Sequence, residues 1–393
     1  MLARYLRERF EVLFLQNEQF APIVSKEGFQ TFDCAAPDAA SILEKLKSFD
    51  FSWLNERDLN ALYQAQLATI DAKKPFAVLG DAMPVLKMAA AKAGIPFVSL
   101  VNAYMSPHYA RLRPLSRTHP VWPYLRKLPA ALQHFLTVQG EAAAFRKIHR
   151  IYKKLRKRYR LAATKTYLEE WQGDLTLITD MQQLFPIRPS LSDTLSLPPL
   201  IYDDQGSPLK LNPGRKTIFV SMGSTGDWTS LCFLNEARFA EWQIITAGDR
   251  NRVLQAPHIQ SFEFLPAATI MPQADLMICH GGNGTIYQAI YYGVPMLLKP
   301  AHFEQEWNAG EVERARAGEW MRGRADAGTW YERIRCWLEK GRPEALVQLQ
   351  QCLQEEQREL KYTMPEILDR LIQLNRKNET RSSIEVCQAE EKL

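Results

Sequence analysis

No stretch of this sequence approaches the ~20 consecutive apolar residues that a membrane-spanning helix requires. A secretory leader is not expected either, because Arg4, Arg7, Glu8 and Arg9 interrupt the opening "MLARYLRERF" where an apolar core should run. Cysteine is sparse: Cys34, Cys232, Cys279, Cys336, Cys352 and Cys387 stand without disulfide or metal-ligand spacing, so buried or free thiols are expected and no metal site. Short-period repeats and low-complexity tracts are missing. The net charge of +5 is too small to argue for nucleic acid as a partner. These absences leave a cytoplasmic globular chain as the expectation.

What is present fits two domains of ordinary size in 393 residues, 46% of them hydrophobic. After an opening helical pattern, "EVLFLQ", "QTFDC", "FAVLGDAMP", "IPFVSLVN" and "DLTLITD" read as strands separated by helices. A second alternating series follows in "TIFVSMGSTGD", "WQIITAG", "IQSFEFLP", "DLMICHGG" and "PMLLKP". Alternation of this kind predicts two doubly wound parallel sheets, an α/β fold. The expected divisions are a first domain over 1–200, a linker over 201–215, a second domain over 216–345, C-terminal helices over 346–376 and a tail over 377–393. Between Tyr104 and Pro129, prolines 107, 114, 120, 123 and 129 predict a long irregular segment of the functional kind.

The stretch "LMICHGGNGTIYQAIYYGVPMLLKP" carries the chemistry. An apolar strand ends at His280, and Gly281, Gly282 and Gly284 surround Asn283 before Thr285 opens a helical pattern. A helix that starts at a strand end aims free N–H groups and a positive dipole end at whatever binds there, and a phosphate group is the natural guest. The competing reading is a tight turn that uses glycine only for its left-handed backbone. The spacing matches neither the dinucleotide fingerprint nor the P-loop. Downstream, "AHFEQEWNAG" sets Glu304, Gln305 and Asn308 beside the same strand ends, where acidic and amide groups suit a hydroxyl-rich ligand.

Taken together, "FLPAATIMPQADLMICHGGNGTIYQAIYYGVPMLLKPAHFEQEWNA" resembles the donor-binding region of the UDP-glycosyltransferase family. That resemblance implies a GT-B fold of two Rossmann-like domains facing a cleft, with C-terminal helices crossing back. It also implies an inverting, metal-independent sugar transfer from a nucleotide diphosphate, with no cofactor beyond the UDP-sugar co-substrate. By position, His280 matches the histidine that contacts the diphosphate, and Gly282, Asn283, Gly284 and Thr285 match the phosphate turn. Phe264 falls where an aromatic residue stacks on uracil, with the backbone at Leu265 reading the base edge. Gln288 stands where the family usually has a ribose-binding glutamate. Glu304 and Gln305 match the pair that holds the sugar hydroxyls, and Ser224 and Thr225 lie in a loop that faces the diphosphate.

Attack by an acceptor hydroxyl calls for a base, in this family a histidine polarised by an aspartate. Asp81 matches that aspartate. The histidine belongs on the loop after a first strand, and that strand and loop are expected to be lacking ahead of the opening helix. His108 is the substitute base, with His119 in the same proline-rich loop as another; an ordinary surface histidine is the competing reading for both. The basic stretch 146–160 suits an anionic membrane surface and would make the protein peripheral there, against the plainer reading of a solvated helix. The acceptor is a small molecule or a lipid. A catalytically impaired nucleotide-sugar-binding protein and a GT-B sugar-nucleotide epimerase are the rival functions.

Overall fold

The runs TIFVS, QIITA, LMIC and MLL are mainly apolar, IQSF is half polar, and all five are free of proline, so nothing in them breaks a parallel ladder. In the computed structural model they become β7 (Thr217–Ser221), β8 (Gln243–Ala247), β9 (Ile259–Phe262), β10 (Leu276–Cys279) and β11 (Met296–Leu298), joined by β12 (Gly318–Trp320). Upstream lie β1 (Leu13–Leu15), β2 (Gln30–Phe32), β3 (Val78–Asp81), β4 (Phe97–Val101), β5 (Leu175–Ile178) and β6 (Thr194–Ser196). The structure describes residues 1–18, 20–36, 38–189, 193–202, 209–223, 225–249, 252–323 and 325–390, with backbone alone at 39, 40 and 375–390.

The chain divides into two units: Met1–Leu112 with Leu128–Pro198 and Glu359–Leu393, and Arg113–Lys127 with Pro199–Arg358. The second holds a six-stranded sheet in the order β12-β11-β10-β7-β8-β9, every pairing parallel. The chain winds outward from β7 to β9, returns to β10 beside β7, and winds outward the other way. The loops after β7 and β10 therefore diverge at the topological switch point, where open α/β sheets bind ligands. Ile218, Val220, Ile244, Leu276 and Ile278 form its core with Trp330 and Trp337 from the helix Ala327–Lys340. That helix starts where the Asp326 side chain accepts the Thr329 N–H at 2.7 Å and ends at Gly341.

The first unit also carries parallel strands, but in two pieces: β1 with β2, and β3-β4-β5-β6. Among the described residues β1 pairs only with β2 and β3 only with β4, so each has one edge without a strand partner there. Phe10 and Phe76, just ahead of β1 and β3, bring their rings to 5.1 Å. On β3, Leu79 is 41% exposed, although parallel strands are normally covered on both faces. Packed against the helix Leu86–Ala93, the helix Glu56–Lys73, capped by Asn55 on the Asp58 N–H at 2.9 Å, buries Leu59, Leu62, Tyr63 and Ile70.

The irregular segment between Tyr104 and Pro129 divides at Arg113, its later part belonging to the second unit. There Glu306 accepts the Arg117 N–H at 2.9 Å, Trp307 Nε1 donates to the Pro114 carbonyl at 2.7 Å, and Arg117 lies over Trp320. The helix Glu344–Glu390 starts in the second unit and belongs to the first from Glu359. Among the described residues no helix is long and apolar enough to cross a membrane.

Candidate functional site

Strands β7 and β10 are paired through Ser221 and Cys279, so the loops that leave them start side by side. His280 follows Cys279 directly and is buried. Its ring is enclosed by glycines from both loops. A Cβ on Gly223 would stand 2.7 Å from His280 Cε1, one on Gly282 2.4 Å from Nε2, and one on Gly226 3.0 Å from the His280 Cβ. Burial first, and His302 nearby second, push the His280 pKa down to about 4, against a weaker opposite pull from the Ser221 backbone. The ring is neutral at pH 7, and its buried Nδ1 has no partner of good hydrogen-bond geometry among the described residues. Cys279 beside it is an inert thiol, pushed up to about 12 by burial.

The turn after His280 is held from behind. Gly281 sits at a left-handed φ of +88°, a Cβ there would come 3.1 Å from the Gln305 carbonyl oxygen, and Asn308 Nδ2 donates to the Gly281 carbonyl at 2.9 Å. Gln305 is buried in the first turn of the helix Phe303–Arg314, where its Nε2 donates to Thr225 Oγ1 at 2.8 Å and its Oε1 accepts the Ala301 N–H at 2.8 Å. Thr225, His280, Gly282 and Gln305, singled out from the sequence, thus meet at the switch point. Glu304 is half-buried one residue before Gln305.

The helix Asn283–Tyr292 begins at Gly282 without a side-chain cap. Its first-turn N–H groups have no helical acceptor, the arrangement that favours negative charge at a helix start. Asn283, Thr285 and Gln288 are half-buried along its first two turns, and Gly284 is exposed. A Cβ on Gly284 would meet nothing within 4 Å, so the fold itself does not demand glycine there. This contrast yields a prediction. Gly223→Ala should destabilise the chain by ~1–3 kcal/mol in a denaturant titration, because it adds left-handed strain to a collision with the ring. Gly284→Ala should leave the denaturation midpoint unchanged or slightly raised while weakening binding of any anion held by the first-turn N–H groups.

Phe264 follows β9 and is 62% exposed, so it is not part of the core and is accessible for stacking. Leu265 beside it is half-buried. Ser224 lies outside the described residues. In the first unit Asp81 ends β3, where its backbone pairs with β4 and its carboxyl makes no hydrogen bond or ion pair with a described residue. The residue is exposed as a whole, yet its carboxyl is crowded enough for partial desolvation to raise its pKa. His108 is half-buried in the same unit, with Nε2 3.4 Å from Gln172 Nε2. His119 instead belongs to the second unit, where its Nδ1 accepts the Val121 N–H at 3.1 Å.

Sequence reasoning missed Gly223 and Gly226 as walls of the His280 pocket; their spacing in "SMGSTGD" was the available signal. It also missed Glu306, whose contact with Arg117 spans 189 residues and has no local signature.

Residues 237–328 match the glycosyltransferase family 28 C-terminal domain, a span that contains His280, the glycine turn, Glu304 and Gln305. The chain is 27% identical over 278 residues to a PGL/p-HBAD biosynthesis rhamnosyltransferase of Mycobacterium tuberculosis, covering 68% of this chain and 60% of that protein. The chain therefore spans less than two thirds of that relative's length. It is also 27% identical over 345 residues to a PGL/p-HBAD biosynthesis glycosyltransferase of the same species, covering 82% and 76%. Among solved structures, the glycosyltransferase SnogD from Streptomyces nogalater superposes with a TM-score of 0.62 at 18% identity, over 94% of each chain. A spinosyn rhamnosyltransferase complexed with thymidine diphosphate superposes at 0.62 and 15%, over 90% of each. The chain thus has the GT-B fold of the glycosyltransferases it resembles, with its family 28 match lying on the sheet unit that carries the His280 site.

Proposed function

We propose that this chain is a glycosyltransferase that moves a sugar from a pyrimidine nucleoside diphosphate, UDP or dTDP, to an acceptor hydroxyl with inversion and without a metal ion. The observation that carries the reading is the convergence of two glycine-bearing loops on buried His280 at the switch point, beside an uncapped helix N-terminus. In the reaction the acceptor oxygen bonds to the anomeric carbon while the bond from that carbon to the β-phosphate oxygen breaks. Negative charge grows on the leaving diphosphate. The first-turn N–H groups of the helix Asn283–Tyr292 and a neutral His280 donor are placed to stabilise it without reorganising. With that charge met by backbone and imidazole, activity is expected to survive EDTA.

Exposed Phe264 suits the pyrimidine ring, and Gln288 the ribose. Glu304 and Gln305 suit the sugar, although Gln305 must then share or release Thr225. UDP follows from the sequence resemblance. The dTDP alternative is favoured by the thymidine diphosphate complex and the rhamnosyltransferase names among the similar proteins. Phe264→Ala is expected to weaken the preferred pyrimidine diphosphate about 2- to 12-fold, the equivalent of a ~0.5–1.5 kcal/mol stacking contact. It should leave inorganic pyrophosphate unaffected, and equal losses for both ligands in calorimetry would remove its stacking role.

For the base, this reading takes His108, with Asp81 in the same unit as its candidate polarising partner. Product analysis with donor and a panel of hydroxyl acceptors tests transfer directly: product formed only when acceptor is present supports it. Epimerised donor formed without acceptor would point to the epimerase, and binding without turnover to a nucleotide-sugar-binding protein.

A further inference from the structure

In the 29-residue helix Ala130–Arg158 the two halves bury opposite kinds of face. The later half is ordinary, with Ile148, Tyr152 and Leu155 buried. In the earlier half the half-buried positions are Gln133, Thr137, Glu141 and Ala142, three of them polar, while Leu132, Phe135 and Leu136 are exposed, Phe135 at 56%. That inverts the usual amphipathic pattern. At ~100° per residue, Leu132, Phe135 and Leu136 fall on the same face as Arg146, Lys147, Arg150, Lys153, Lys154 and Lys157, all within about 60° of Leu132. Every one of those six basic side chains is exposed, and the helix's one acid, Glu141, lies on the opposite face. Only Lys154 is engaged by an acid among the described residues, with its Nζ 3.5 Å from Glu56.

We propose that this face docks on an anionic lipid surface. Leu132, Phe135 and Leu136 enter the boundary between headgroups and acyl chains, and the basic half lies along the phosphates. The helix is about 43 Å long at 1.5 Å per residue, so the two halves contact the bilayer as separate patches on one line. Charge complementarity selects the occupant: a second copy of this chain would set the six cations against six others or against an apolar patch with no anion, and nucleic acid would leave the apolar half uncovered. The proposal rests on the helix face and not on the donor site, so either can fail without the other.

The test is co-sedimentation of the full chain with phosphatidylcholine vesicles and with vesicles of equal parts phosphatidylcholine and phosphatidylglycerol. Binding is expected to the anionic vesicles alone and to weaken with salt. Replacing Arg150, Lys153 and Lys157 by glutamine should reduce it about 100-fold, at roughly fivefold per basic residue. Phe135→Trp should shift its emission to the blue on anionic vesicles, and Phe135→Ser with Leu136→Ser should weaken binding. All five positions are exposed, so folding is expected to survive and circular dichroism checks it. No binding to anionic vesicles, equal binding to both, or binding indifferent to these substitutions would overturn the proposal. So would vesicle-independent dimerisation lost in Phe135→Ser, or binding of a DNA duplex without vesicle binding.

Discussion

Alanine at position 280 is expected to lower turnover about 10²- to 10³-fold with little loss of fold, the cost of one donor to a charge that develops in the transition state. The ring is well placed for this. It is neutral because burial holds its pKa near 4, it lies where the loops after β7 and β10 meet, and three glycines leave it just enough room. Two pH effects follow. A folded-state pKa below the unfolded ~6.5 means the unfolded chain binds more protons between those values. The contribution of His280 to stability is therefore intact above pH 6.5 and is lost as pH falls toward 4. A bound diphosphate favours the charged ring and pulls its pKa up. The ratio of nucleotide affinities, original chain over His280→Ala, should then rise as pH falls from 7 to 5, and calorimetry in buffers of different ionisation enthalpy should record proton uptake.

Glu170→Ala is the change expected to do most harm to stability, about 3–5 kcal/mol or roughly 10 °C in Tm. Glu170 and Arg156 are both almost fully buried in the first unit. The guanidinium donates from Nε to Oε1 at 2.9 Å and from Nη2 to Oε2 at 2.6 Å, and its Nη1 reaches the Ala162 carbonyl at 2.9 Å. Thr164 donates its hydroxyl to Glu170 and lies 2.9 Å from His149 Nε2. Burial, the leading cause, lowers the His149 pKa, and Glu170 opposes it. A neutral His149 then donates from Nε2 to Thr164, completing a relay onto the carboxylate. Removing the carboxylate strands a buried cation and a hydroxyl, whereas Glu170→Gln keeps the shape and one acceptor oxygen and should lose less. Differential scanning calorimetry of both variants separates loss of charge from loss of shape.

The donor-side geometry was legible because its signals are local. An apolar strand that runs into "CHGGNGT" has few physical meanings, and the alternating series anticipated the described strands except the short β6 and β12. Phe264 could not be assigned from sequence alone, since the same "FEFLP" suits a core ring; only its exposure decides. The glycines around His280 could be seen but not attributed, because the ring they accommodate lies on another loop. Glu306, Trp307 and the segment at Pro114–Arg117 were illegible for a stronger reason: contacts across nearly half the chain follow from topology and leave no period in the sequence. The basic run 146–160 was read correctly as basic. The outward apolar residues ahead of it were not, because periodicity locates a stripe without saying which side meets the protein.

The central claim is that the His280 site binds a nucleoside diphosphate, and a calorimetric titration of this chain with UDP, dTDP and ADP tests it most directly. Saturable binding of a pyrimidine diphosphate in preference to ADP, weakened in His280→Ala and Gly284→Ala, is the predicted result. A chain that is folded by circular dichroism yet binds none of the three, or binds all of them unchanged by those substitutions, would contradict it.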